Sequence, residues 1–196
     1  MTPGGVPLPG RLFVISGPSG AGKSSVVAGL RSRRDLYFSV SATTRSPRPG
    51  ETHGVHYWFI EPDEFATLIA DGDLLEWAEY NQNRYGTLRQ PVFDHLAAGD
   101  DVLLEIEVQG ARQIRHTEAA AIMFFIVPPS LAELERRLRS RGDTTEGDIA
   151  RRLDIARREM EEAPLFDHIV VNDDLERAIG EVDELMSRPD GPAPGR

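Results

Sequence analysis

Short apolar runs alternate with amphipathic stretches along this chain. Leu12-Phe13-Val14-Ile15-Ser16 is apolar almost throughout, which predicts a parallel strand buried on both faces. A glycine-rich run follows at once, and then Val26, Val27 and Leu30 recur at helical spacing, predicting a helix from Ser24 to Arg34. Phe38-Ser39-Val40-Ser41 reads as a second strand, and the stretch from Thr43 to His56, rich in Pro, Gly and Arg, reads as loop. Tyr57-Trp58-Phe59-Ile60 and the run from Leu74 to Tyr80 predict strands flanking a helix that begins near Pro62. Pro91 predicts another helix start, because proline suits a first turn. Two further core strands are predicted from Val102 to Glu107 and from Ala121 to Val127.

Ser130-Leu131-Ala132-Glu133 has the form of a capping box, with Ser130 as cap and Glu133 expected to reach back. Its helix carries Arg136, Arg137, Arg139 and Arg141 before the breaker Gly142, and another helix carries Arg151, Arg152, Arg157 and Arg158. A last strand is predicted from His168 to Val171, and Asp173 or Asp174 caps a last helix. Strands alternating with helices predict an α/β fold with a doubly wound, mostly parallel sheet. The segment from Ser41 to about Gln90 is richer in strands and turns and reads as an inserted module.

Composition narrows the function classes. With 22 basic and 32 acidic residues the formal charge is −10, which disfavours a general nucleic-acid or membrane-surface binder. A small anionic substrate can still be held by a local basic cluster. There is no cysteine, which excludes disulfides, thiolate metal sites and a cysteine nucleophile and suits a cytoplasmic location. The first ten residues lack the basic-then-apolar pattern of a signal peptide, and no segment approaches membrane-spanning length. Residues 1–10 and 188–196 read as solvated tails on one domain, 11–187.

The sharpest signal is Gly17-Pro18-Ser19-Gly20-Ala21-Gly22-Lys23-Ser24, which fits G-x-x-x-x-G-K-[ST] between a predicted strand and a predicted helix. Successive backbone N–H groups in such a loop form a nest for phosphate oxygens, and the helix adds the positive end of its dipole. The lysine reaches β- and γ-phosphates and the serine hydroxyl ligates Mg²⁺. Twenty-one of the 22 basic residues are arginine and the only lysine is Lys23. A preference for arginine codons accounts for the imbalance, and the retained lysine points to a site that accepts a slim point charge and not a planar fork.

The run G-P-S-G-A-G-K-S-S followed by S-V-S-A-T-T-R-S-P-R-P-G-E resembles guanylate kinase, and the likeness continues through Leu75-Glu76-Trp77-Ala78, Tyr85-Gly86-Thr87, Gln109-Gly110, Arg141-Gly142 and Val171-Asn172-Asp173-Asp174. The resemblance implies a P-loop NTPase fold that transfers a phosphoryl group from ATP to GMP. It implies a core of residues 11–40, 91–133 and 159–187, a GMP-binding module at 41–90 and a helical lid at 134–158 that closes over the substrates. ATP would be held by residues 17–25, namely Gly17, Pro18, Ser19, Gly20, Ala21, Gly22, Lys23, Ser24 and Ser25, and by Asn172, which reads equally as a plain helix-entry turn. Arg45 and Arg48, with the hydroxyls of Tyr57 and Tyr85, would hold the GMP phosphate, while Ser41, Glu51, Thr87 and Glu107 complete the GMP contacts.

Glu76 is the expected reader of the base. Guanine presents two adjacent donors on its pairing edge and a carboxylate accepts both, whereas adenine places a lone pair where guanine has its imino hydrogen. Arg141 and Arg152 match the lid arginines that, with Lys23 and Arg45, carry catalysis; Arg137 is a candidate for packing on adenine. Glu105 and Glu107 stand where the family usually has aspartate, so their division between Mg²⁺ waters and GMP is open, Glu105 being the candidate that reaches Mg²⁺ through water. The expected cofactor is Mg²⁺ with ATP, a role for K⁺ is left open, and dGMP is an expected second acceptor. Two rival readings are a kinase of the same fold with another phosphorylated acceptor and a non-catalytic protein-binding domain.

Overall fold

A computed structural model describes residues 9–80, 82–140 and 146–188, and its first strand forms where the apolar run predicts. β1 (Leu12–Ser16) is buried along its whole length. α1 (Lys23–Arg33) turns Val26, Val27 and Leu30 inward. The strand predicted at Phe38–Ser41 is split instead: β2 (Tyr37–Phe38) and β3 (Ala42–Thr43) belong to different sheets. β4 (Trp58–Phe59), α2 (Pro62–Asp71) and β5 (Leu74–Tyr80) follow in the expected order.

β6 (Asn83–Leu88) forms from a polar run containing Gly86, which predicts no strand. It pairs with β3 on one side and β5 on the other, and pairing of this kind overrides local propensity. α3 (Arg89–Ala98) starts two residues before Pro91; the first-turn N–H groups have no intrahelical acceptor, so the missing proline donor costs nothing there. β7 (Val102–Glu105) stops short of Glu107, because Glu107 is the N-cap of α4 (Val108–Thr117), a helix the sequence reading passes over. β8 (Ile122–Val127) leads to α5 (Leu131–Arg139), where Ser130 Oγ accepts from Glu133 N–H at 3.1 Å. The Glu133 carboxylate goes to Arg136 and Arg137 and not back to the cap. α6 (Glu146–Met160), β9 (His168–Val171) and α7 (Leu175–Met186) complete the order, with Asp174 capping α7.

The chain groups into two compact units. The first comprises Leu36–Ala121 and the segment ending at Leu12. It holds the parallel pair β2–β7 and the sheet β4-β3-β6-β5, which is antiparallel except between β3 and β4. Phe65 of α2 packs with Ala42 and Leu74 beneath that sheet. The second unit comprises Phe13–Asp35 and the chain from Ile122 onward, and holds the parallel strands β1-β8-β9. Leu134 and Leu138 of α5 pack there against Ile149 and Leu153 of α6. Residues 41–90 lie wholly in the first unit, and the described part of 134–158 lies in the second. Among the described residues no helix is long and apolar enough to cross a membrane.

Candidate active site

In the second unit the loop between β1 and α1 is pressed against its surroundings. A Cβ on Gly17, whose φ is 142°, would lie 2.1 Å from the carbonyl oxygen of Ile126 in β8. Gly22 caps α1 in the left-handed region, and α1 has no acidic residue in its first turn to oppose an anion. Lys23 Nζ donates to the carbonyls of Gly17 at 2.6 Å and Pro18 at 3.3 Å, so the ammonium lies folded over the loop.

Three side chains brace this loop. Asn172, buried at the end of β9, donates from Nδ2 to Ala21 O at 2.8 Å. Arg137 donates to Asn172 O at 2.9 Å and to Ala21 O at 3.4 Å, and pairs with Glu133 at 2.8 Å. Its contacts are thus with the loop's backing. Arg152 of α6 donates from Nη2 to Ser19 Oγ at 2.8 Å, while its Nε is buried with no hydrogen-bond partner. A buried guanidinium N–H left without an acceptor is costly.

In the first unit a second basic site forms on the turn after β3. Arg45 and Glu51 meet fork to fork at 2.9 Å on both oxygens, with side chains only 14% and 17% exposed. The Arg45 guanidinium lies over the rings of Tyr57 and Phe59, and Tyr57 meets Tyr85 edge to face at 5.9 Å. The hydrogen bond from Arg45 holds the Glu51 carboxyl down at about 2. Glu51 also accepts the Arg48 backbone N–H at 2.7 Å, while the Arg48 side chain is exposed. Burial, reinforced by the charge of Glu105, pushes the Tyr57 hydroxyl up to about 12.

Glu76 projects from the middle of β5 and is only 3% exposed. Thr87 on the paired strand β6 donates to Glu76 Oε1 at 2.7 Å. Burial lifts the Glu76 carboxyl to about 7; the Thr87 bond opposes the rise and the charge of Glu107 adds to it. Glu107 itself has one carboxylate oxygen, Oε2, buried without a hydrogen-bond partner.

The expected site residues therefore assemble in two groups. Arg45, Glu51, Tyr57 and Tyr85 form one cluster in the first unit, where Glu76 pairs with Thr87 and Glu105 and Glu107 act electrostatically on these groups. The structure places Glu51 on Arg45 as its counter-ion. Ser41 is half-buried, and its carbonyl accepts from Trp58 N–H at 2.9 Å. In the second unit Lys23, Arg152 and Asn172 converge on the loop, and Ser24 and Ser25 lie in the first turn of α1. Arg141 lies outside the described residues. The sequence reading missed the bracing of the loop by Arg137, which only the fold reveals. Among the described residues no three acidic, histidine or cysteine side chains form a cluster able to hold a metal ion. The Ser24 hydroxyl is an oxygen that the end of the loop could offer a hard cation, and Mg²⁺ held there would take most of its remaining ligands from nucleotide oxygens and water.

A glycine loop with lysine and serine at its end, set between a parallel strand and a helix, defines the P-loop NTPase fold. A family model described as guanylate kinase matches residues 9–189. A guanylate kinase of Synechococcus sp. (strain JA-3-3Ab) is 53% identical over 95% of this chain and 85% of its own length. That of Thermosynechococcus vestitus is 55% identical over 88% of this chain and 91% of its own. The crystal structure of guanylate kinase from Anaplasma phagocytophilum superposes with a TM-score of 0.75 at 30% identity, covering 92% of this chain and 86% of that one. This chain belongs to the guanylate kinase family.

Proposed function

We propose that the phosphoryl transfer from ATP to GMP which this chain catalyses runs by direct in-line attack, with ATP held in the second unit and GMP in the first. The observation that carries the choice of acceptor is Glu76. It is a buried carboxylate with one oxygen on Thr87 and, among the described residues, no cation paired with it, in keeping with two donors arriving from a ligand. Guanine supplies those donors and adenine does not. Glu107 Oε2 would take a further donor of the base or of the water around Mg²⁺. Ser41 reads the guanine carbonyl, and Arg45, Arg48, Tyr57 and Tyr85 hold the phosphate, with Glu51 acting through Arg45.

The nucleophile is a phosphate oxygen of GMP. A phosphate monoester has its second pKa near 6 and is largely dianionic at neutral pH, so no general base is required. Catalysis is then positioning and charge neutralisation. Lys23 leaves the Gly17 and Pro18 carbonyls for the β- and γ-oxygens, while Arg152 and Arg141 answer the charge on the moving group. The family uses Mg²⁺ with ATP, and the ion supplies Lewis-acid neutralisation of the phosphates when bound. Ser24 would hold it, with Glu105 reaching it through water. Residues 41–90 serve as the acceptor module and 134–158 as the lid. The missing cysteines support a cytoplasmic location.

One coupled assay with MgATP and GMP, dGMP, AMP, CMP or UMP tests the reading. GMP and dGMP turn over, because the assigned groups read base and phosphate. Turnover of AMP equal to that of GMP would overturn the role of Glu76. A chain inert with every acceptor would instead be a binding domain.

A further inference from the structure

We propose that α4 is the positioning device for base selection: Gly110 leaves the space that the Glu76 carboxylate occupies, and Gln113 and Gln109 clamp β5 just beyond it, at Trp77 and Glu79. The inference rests on the reading that Glu76 selects guanine. Gly110 is the third residue of α4, in its first turn, and glycine is a poorer helix former than alanine. Its backbone is helical, so no left-handed conformation demands glycine there. What demands it is a neighbour. A Cβ built at Gly110 would lie 1.9 Å from Glu76 Oε2 and 2.7 Å from its Cδ. With Glu76 buried and its other oxygen on Thr87, the carboxylate cannot move aside without breaking that bond.

The flanking glutamines secure the same register. β5 is an edge strand of its sheet, with free backbone groups on the side away from β6. Gln113 fills that edge at Trp77, accepting from its N–H at 3.2 Å and donating to its carbonyl at 2.5 Å. Gln109, one helical turn earlier, accepts from Glu79 N–H at 3.0 Å. Two side chains spaced four apart thus stand in for a missing strand. Glu76 is fixed along the strand by the glutamines, and its Oε2 packs against the bare α-carbon of Gly110.

A double-mutant cycle tests the device. Gly110→Ala lowers kcat/KM for GMP about 100-fold (about 2.7 kcal/mol) and erodes the preference for GMP over IMP, which lacks the exocyclic amine, while KM for ATP stays unchanged. In the Glu76→Ala background the collision is gone. There Gly110→Ala has no further effect on GMP, and it raises Tm through better helix propensity. Gln113→Leu, which keeps volume and deletes both bonds, lowers kcat/KM for GMP about tenfold and leaves ATP alone; this variant carries the test if Gly110→Ala fails to fold. Effects of Gly110→Ala and Glu76→Ala that simply add would overturn the proposal, as would a Gln113→Leu enzyme with normal GMP kinetics. Glu76→Ala with unchanged GMP-over-IMP preference would overturn the reading of Glu76 and, with it, the role of α4.

Discussion

Glu76 is a residue kept at the expense of stability. Its carboxyl titrates near 7 in the folded chain against an ordinary value of 4.5. Between these values the folded state holds more protons than the unfolded one, so stability falls as pH rises from 4.5 to about 7. The loss above pH 7 is on the order of 3 kcal/mol. Glu76→Gln keeps an acceptor for Thr87 without the charge, so it should melt higher than the wild type at pH 8, with the gap closing by pH 5. If Glu76 reads the base as proposed, the same titration governs substrate, because the ionised form would accept the guanine donors. KM for GMP in the wild type should rise as pH drops from 8 to 6, beyond the rise seen in Glu76→Gln, where only the substrate phosphate titrates, near 6. Equal slopes in both enzymes would refute this. The residue type and its neighbours Leu75 and Trp77 made Glu76 legible in the sequence. Its burial was not, since that depends on α4 packing over β5, a contact between segments some thirty residues apart.

At the scale of elements, legibility followed agreement between local signals. β1, the loop and α1 were readable because an apolar run, the glycine spacing and a helical stripe all point one way. α4 was missed because its buried positions, Val108, Gly110, Ala111 and Ile114, include a glycine and an alanine, leaving few large apolar residues to mark a stripe. β6 was missed because its stability comes from two flanking strands and not from its own polar residues. The brace from β9 to the loop is also a tertiary fact, and it carries a prediction. Asn172→Ala removes the Nδ2–Ala21 bond but leaves the backbone carbonyl that receives Arg137. Stability should fall by about 1–3 kcal/mol, the cost of a lost buried hydrogen bond, and KM for ATP should rise while KM for GMP holds. Equal movement of both constants in steady-state kinetics would mean the brace does not act through the loop.

Over the whole molecule, charge separates into groups that can be exchanged and one that cannot. The arginines of the helical faces pair with neighbours three or four residues away, as Arg136 does with Glu133, Arg139 with Glu135 and Arg158 with Asp154. Exposed pairs of this kind contribute little to stability, so codon preference is free to choose arginine for them. At Arg45 the planar fork is used in full, on both oxygens of Glu51. Lys23 differs: one ammonium reaches the Gly17 and Pro18 carbonyls from within the loop, where a guanidinium would be too wide. Because Lys23 is the only lysine in the sequence, an amine-selective reagent has one side-chain target. Modification at Lys23, followed by peptide mapping, should abolish phosphoryl transfer, and MgATP should protect the residue where GMP alone does not. Loss of activity should track the fraction of Lys23 modified and not that of any chain-terminal amine. Full turnover by protein modified at Lys23 would show that the loop neutralises the phosphates with its backbone amides and arginines alone, and that the lone lysine has no part in the reaction.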